Sequence, residues 1–260
     1  MEVINLYFAI IGDDARMDYA AERLYSLGFD VSRDLNRLSD NTNLIIPPPV
    51  GIKYYDILKP YLKNIKAIYG GAISSDFKNM IGSDIYIYDY LSWDSVIAEN
   101  AKLTALGIIK EAISIKANLY NSKILVTGYG FCGKAIGQHL KDYTEDITIA
   151  VRNSRLLKEI NNDGFNYADI NNLVSHNLSS YNYVFNTVPA MIITKQVIDC
   201  FDNSVMIFDI ASKPGGVDFN YCKDKNIYAV LSLGIPGRDF PKEAGYLIGD
   251  ACFNHYKSMQ

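Results

Sequence analysis

Apolar residues in this chain gather in short runs that end on glycine, proline or a polar group, and between the runs they recur every three or four positions. Residues 5–11 (NLYFAII) form such a run and stop at Gly12, and residues 15–27 then carry Ala20, Leu24 and Leu27 at helical spacing. The pattern predicts strand, turn, helix. Further β-rich segments at 43–46, 67–69 and 84–88 are separated by Pro47, Pro48, Pro49, Gly70 and Gly71. From Ser92 to about Leu119 the period changes: Ile97, Ala101, Ala105, Ile108, Ile109, Ala112 and Ile113 recur without a proline, which predicts one long helix. Beyond it, strands are predicted at 123–127, 146–151, 182–187, 204–210 and 227–232, alternating with helical stretches, and a last helix over roughly 241–258. Alternation of this kind predicts an α/β protein with two doubly wound parallel-sheet domains joined by a long helix. The expected division is 1–95, a linking helix over 96–120, a second domain over 121–240, and a segment 241–260 that returns to the first domain.

Composition narrows the classes. Apolar residues make up 49% and charged residues 21%, which excludes disordered, collagen-like and disulfide-dense chains. With 25 Lys and Arg against 29 Asp and Glu the formal charge is −4, the wrong sign for a dedicated nucleic-acid binder. Cys132, Cys200, Cys222 and Cys252 lie far apart in neither zinc nor disulfide spacing, so reduced thiols in the cytoplasm and no bound metal are expected. The opening segment lacks a basic stretch and a small-residue cleavage site and reads as a strand; no apolar run reaches membrane-spanning length, so no membrane association is expected.

The chemistry concentrates after the long helix. KILVTGYGFCGKAIGQHL places Gly128, Gly130 and Gly133 in G-x-G-x-x-G order, directly after an apolar strand and before an amphipathic helix. In that setting the first glycine permits the tight turn, the second admits a pyrophosphate to the backbone, and the third lets helix and strand approach. The second domain is therefore expected to be a Rossmann dinucleotide-binding domain, with Gly128, Tyr129, Gly130, Phe131, Cys132 and Gly133 around the phosphates. The next strand ends in Arg152, Asn153 and Ser154, where an NAD-selective site usually shows a carboxylate. A guanidinium there suits a 2′-phosphate, so NADP is expected ahead of NAD, which stays possible.

Ligands of doubly wound sheets lie beyond the carboxyl ends of the strands. Asn186, Thr187, Val188 and Pro189 end one strand, and Ala211 and Ser212 follow Asp209 at another; all six are expected near the cofactor. Lys213, Arg238 and, in the first domain, Arg16 are the cations expected to meet a carboxylate substrate in a cleft between the domains. Asp14, Thr104 and Lys213 are the candidate catalytic groups. His139, His176 and His255 fall on helical stretches away from strand ends and are assigned no catalysis. No Ser-His-Asp order, H-E-x-x-H or P-loop is present.

The blocks GDDAR (12–16), ENAKLTALGIIKEAI (99–113), GYGFCG (128–133), FNTVPAMI (185–192), DIASKPGGVDF (209–219) and LGIPGRDFPKEAG (233–245) run through nearly the whole chain. Together they resemble the family of dipicolinate synthase A subunits. The resemblance implies an NAD(P)-dependent enzyme that oxidises, with dehydration, a 4-hydroxy-tetrahydrodipicolinate or dihydrodipicolinate to dipicolinate in the mother cell of a sporulating bacterium. It implies a partner in the form of a smaller, flavoprotein-like B subunit; a homo-oligomer is a further possibility. The chain departs from the family pattern at Asp13, where a glycine is usual, at Leu106, where an acidic residue is usual, and in its shorter first domain. Two other readings fit the residues: a non-catalytic, activating protein that binds NADP, and another two-domain dehydrogenase of the shikimate or alanine dehydrogenase type.

Overall fold

The computed structural model describes residues 7–115 and 117–259. They fold into two compact units, the described residues up to 100 together with those from 236 onward, and the described residues between 101 and 235. Each unit is built on one sheet, and in both sheets every strand pair is parallel.

The first sheet contains β1 (Tyr7–Ile10), β2 (Asp30–Ser32), β3 (Thr42–Ile45), β4 (Ile65–Gly70) and β5 (Tyr86–Asp89), in the order β2-β1-β3-β4-β5. The order reverses between β1 and β3, so that gap is the topological switch point of the unit. Asn5 and Leu6 of the first predicted strand lie outside the described residues. Its apolar residues explain the rest: Phe8, Ala9 and Ile10 are buried, and successive side chains feed the cores on opposite faces of the sheet. β2 carries no apolar run; it is a half-exposed edge, and the sequence pattern does not announce it.

Helix Ala15–Ser26 starts on Asp14, whose side chain accepts a hydrogen bond from the Arg16 N–H. Helix Pro241–Ser258 lies along it in the same unit. A Cβ at Gly245 would stand 2.5 Å from the Arg16 carbonyl oxygen, so the missing side chain is what lets the two helices close on each other. The Arg23 guanidinium donates to Asp250 at 2.7 Å across the same seam.

The second sheet contains β6 (Ile124–Thr127), β7 (Ile147–Val151), β8 (Asn166–Asp169), β9 (Tyr183–Asn186), β10 (Met206–Asp209) and β11 (Tyr228–Leu231), ordered β11-β10-β9-β6-β7-β8. Counted within the unit this is 3-2-1-4-5-6, the order of doubly wound sheets, with its switch point between β6 and β9. All the residues of β6, β7 and β9 are buried, which is why these strands read as continuous apolar runs. β8, a partly exposed edge, is the second strand the pattern misses.

The long helix runs Asp94–Ser114 and ends five residues before the predicted Leu119, which belongs to an irregular segment; Lys116 lies outside the described residues. Two further differences concern the end of the second predicted domain. Residues Ile235–Asp239 form a short helix rather than an open turn, and the boundary falls at 235/236, not at 240. His176 follows a 3-10 turn and is not helical. Among the described residues no helix is long and apolar enough to cross a membrane.

Candidate functional site

The glycine turn sits at the carboxyl end of β6, beside the switch point of the second sheet. Gly128 has φ +91°, which a side chain would strain, and a Cβ there would stand 2.4 Å from Thr187 Oγ1. At Gly133, in the first turn of helix Phe131–Leu140, a Cβ would meet the Gly128 carbonyl oxygen at 2.2 Å. These two glycines close the turn on itself. Gly130 differs: nothing lies within 4 Å of its would-be Cβ, and no side chain caps the helix it begins. The turn is therefore shut where the protein must pack and open where a ligand would approach. Tyr129 contributes only backbone to this opening, since its ring is buried against Phe165 and its hydroxyl donates to Asp163. Burial and that hydrogen bond push the Tyr129 phenol up. Phe131 is exposed, and burial pushes the Cys132 thiol up, which disfavours a thiolate.

Beside the turn, three strand ends carry a row of buried polar side chains in register: Thr127 on β6, Asn186 on β9 and Asp209 on β10. Thr127 Oγ1 donates to Asn186 Oδ1, and Asn186 Nδ2 donates to Asp209 Oδ1 at 2.7 Å and to the Val188 carbonyl at 3.1 Å. The Val188 N–H closes the set on Asn186 Oδ1 at 3.2 Å. Asn186, expected near the cofactor, has no hydrogen-bonding position left to offer it, because an amide has two donors and two acceptor positions and all are taken inside the chain. Asp209 also accepts from the Ala211 N–H at 2.9 Å and the Gly216 N–H at 3.0 Å. Its carboxyl group thereby pins both ends of the 211–216 loop to the strand end. Thr187 Oγ1 donates to the Thr127 carbonyl at 2.7 Å, which ties down a second expected cofactor residue. Val188 is half-buried and Pro189 exposed on the same edge, and Ala211 is buried with its N–H committed to Asp209.

Arg152, Asn153 and Ser154 follow β7, the neighbour of β6 on the other side of the turn. Arg152 is exposed and has no hydrogen bond or ion pair among the described residues. Asn153 Oδ1 is used by the Arg155 N–H at 3.0 Å, where it caps a 3-10 turn. Ser154 is exposed. Lys213, with Ser212 before it, stands exposed in the loop that Asp209 pins and has no partner among the described residues.

The first-unit candidates are arranged differently from the expectation. Arg16 Nε and Nη2 grip Asp14 Oδ1 and Oδ2 at 2.9 and 2.6 Å, a bidentate pair two residues apart. The Arg16 hydrogen bonds hold the Asp14 carboxyl below its ordinary value, and Asp14 in turn raises Arg16. The pairing holds Asp14 as an ionised partner of Arg16, a poor state for the proton acceptor expected of it, and leaves Arg16 its Nη1 donors and one Nη2 N–H beyond the bonds to Asp14. Arg238 lies in the unit that contains Arg16, not in the unit of Lys213, and its Nε and Nη2 both reach Asp239 at 2.9 Å. A Cβ at Gly237 would fall 2.9 Å from Arg16 Cζ, so the short helix carrying Arg238 is seated on the Arg16 side chain. Thr104 is half-buried on the long helix.

Residues 118–212 match the model of the acetohydroxy acid isomeroreductase NADPH-binding domain family. Over 158 residues the chain is 29% identical to the dipicolinate synthase A subunit of Bacillus subtilis strain 168, covering 60% of this chain and 53% of that protein. The aligned part thus spans about half the length of that relative. Solved structures extend the likeness: the dipicolinate synthase A subunit from Bacillus halodurans superposes with a TM-score of 0.85 at 21% identity, over 96% of this chain and 97% of that one. Its counterpart from Bacillus subtilis gives a TM-score of 0.87 at 21% identity, over 99% and 98%. The chain shares its fold with the dipicolinate synthase A subunits and is similar to one of them in sequence over 60% of its length.

The two positions at which the chain departs from the pattern it resembles are both at the surface: Asp13 is exposed just beyond β1, and Leu106 is exposed on the long helix. Thr127 and Asp209 are not singled out by the sequence pattern, although both organise the strand ends. A signal exists for Asp209: a charged residue closing an otherwise apolar strand, SVMIFDI, must find donors if it is buried.

Proposed function

We propose that the second unit binds NADP(H), with the pyrophosphate over Gly130 and the 2′-phosphate on Arg152, and that the chain is the A subunit of a dipicolinate synthase. The observation that carries the cofactor reading is the space above Gly130, at the switch point of a 3-2-1-4-5-6 sheet and at an uncapped helix start. The similarity of residues 118–212 to an NADPH-binding domain supports it. Bound NADP supplies a hydride acceptor. The chain's own part is to hold the phosphates on backbone N–H groups from 130 to 133, to keep the 186–189 and 211–216 segments fixed through the Asn186–Asp209 hydrogen bond, and to present Lys213 to an anionic substrate.

The reaction proposed is the oxidation, with dehydration where the substrate is hydroxylated, of a 4-hydroxy-tetrahydrodipicolinate or dihydrodipicolinate to dipicolinate. Aromatisation supplies much of its driving force, so positioning is the main demand on the protein. Partnership with a B-type subunit, in a cytoplasmic setting, belongs to the same proposal and rests on the likeness to dipicolinate synthase A subunits.

Arg152→Ala is expected to weaken NADPH binding by about 1 to 3 kcal/mol, the scale of charge-assisted hydrogen bonds, and to leave NADH binding unchanged. Calorimetric titration of both nucleotides reads this directly. Equal losses for NADPH and NADH would remove Arg152 from the 2′-phosphate.

A further inference from the structure

The first unit has its own switch point, between β1 and β3, and a cavity of about 530 Å³ opens there at the carboxyl ends of the two strands. In an open parallel sheet this is where a ligand sits, and the volume is within the range of small-molecule sites. Gly12 and Pro47 form one wall, with Gly12 at φ +95° and its would-be Cβ 2.6 Å from Pro47 Cγ. Tyr54 lines the cavity and is only 8% exposed, yet its hydroxyl has no hydrogen-bond partner among the described residues. No side-chain oxygen or nitrogen that is fully occluded lacks a partner among the described residues, so this hydroxyl must open on the cavity. A buried phenol without a partner costs stability unless water or a ligand meets it. Burial, with Asp14 and Asp13 nearby, raises the Tyr54 phenol above its ordinary value, which keeps it a donor.

Two charged groups complete the lining. The Lys53 ammonium lies 4.9 Å from the centre of the Tyr54 ring and is exposed. Asp13 is exposed and has no hydrogen bond or ion pair among the described residues, whereas its neighbour Asp14 is neutralised by Arg16. A cation, an anion and a hydroxyl donor beside a flat proline wall describe a ligand of mixed charge. A ring that bears a carboxylate next to a proton-carrying nitrogen presents both charges on one rigid face. We infer that this cavity takes a cyclic amino or imino dicarboxylate, with a carboxylate on Lys53 and the Tyr54 hydroxyl and with the ring nitrogen toward Asp13. The ligand class rests on the proposed reaction; the placement rests on the cavity and the unpartnered phenol.

The test is calorimetric titration of the full chain, with and without saturating NADPH, using two stable probes. Piperidine-2,6-dicarboxylate carries a proton on a cationic ring nitrogen, and pyridine-2,6-dicarboxylate near neutral pH does not. Lys53→Ala should weaken both by about tenfold or more, and Tyr54→Phe both by about fivefold, the scale of single hydrogen bonds to charged groups. Asp13→Asn should split them: it weakens the piperidine by about fivefold and tightens the pyridine, from which it removes a like charge. NADPH titration of each variant controls for folding. On the unmodified protein, saturating piperidine dicarboxylate should protect Lys53 from acylation by an amine-reactive ester, read by peptide mass spectrometry. Unchanged Lys53 labelling, or binding of both probes that ignores all three substitutions, overturns the placement and leaves the proposed reaction standing. Failure of either ring compound to bind at all overturns the ligand class and the proposed reaction together.

Discussion

Gly133→Ala is expected to destabilise the protein by about 3 kcal/mol or more and to abolish NADPH binding, whereas Gly130→Ala should fold nearly as well as the parent and still lose the nucleotide. The difference follows from what each added methyl group meets. At position 133 it lands 2.2 Å from the Gly128 carbonyl oxygen and 2.8 Å from its carbon, and neither can move without opening the turn that joins β6 to its helix. Overpacking against backbone sits at the upper end of the usual cost of small-to-large changes. At position 130 the methyl group meets nothing, and the backbone there has φ −76°, which alanine accepts. The residual cost is the poorer helix cap, about 1 kcal/mol. The same methyl group stands where a pyrophosphate must approach the N–H groups, so NADPH affinity should fall by at least about tenfold. Urea unfolding beside nucleotide titration separates the two effects. A stable Gly130→Ala variant that binds NADPH as tightly as the parent would mean the pyrophosphate lies elsewhere.

Asp209→Ala carries the second large effect. Its carboxyl group is fully buried and accepts hydrogen bonds from Asn186 Nδ2, the Ala211 N–H and the Gly216 N–H. Removing it strands three donors, each costing about 1 to 3 kcal/mol when left unpaired in an apolar setting, though water entering the space will recover part of this. A loss of about 3 to 4 kcal/mol in urea unfolding is expected. The 211–216 loop should also become accessible to limited proteolysis, since Asp209 ties it at both ends. Gly216 cannot compensate by moving inward, because the space its Cβ would occupy is 2.2 Å from Asn186 Nδ2. A loss under about 1 kcal/mol would show that the buried row is dispensable.

Much of the second unit is legible in the sequence because its central strands are buried on both faces. ILVT, ITIAV and YVFN are continuous apolar runs for that reason, and the glycine turn follows the first of them without a gap. The edge strands Asp30–Ser32 and Asn166–Asp169 are not legible, since DVS and NYAD hold only one and two apolar residues between polar ones, whereas the equally exposed edges YIYD and YAVL still carry an apolar run. The site residues divide along a different line. A polar residue at a strand end looks the same whether it faces a ligand or a neighbouring strand, and only the register of β6, β9 and β10 shows that Asn186 is turned inward. Arg16 reads as a ligand for carboxylates, but Asp14 two residues earlier sits at the helix cap within reach of its guanidinium. Arg238 reads as a strand-end group of the second unit because the short helix Ile235–Asp239 is rich in the glycine and proline of ordinary turns. Lys53 and Tyr54 give no signal at all: they lie on a seven-residue helix, and only the approach of Gly12 and Pro47 turns that helix into a cavity wall.

The proposed function makes this chain part of a nucleotide-coupled oxidation that ends in an aromatic pyridine dicarboxylate. Its most direct test mixes the purified chain, a B-type partner, NADP and freshly generated dihydrodipicolinate, and follows NADPH and pyridine dicarboxylate by absorbance in the same cuvette. The two products are expected in equal amounts, and omitting the partner is expected to leave little of either. Pyridine dicarboxylate accumulating with no NADPH would contradict the proposed function.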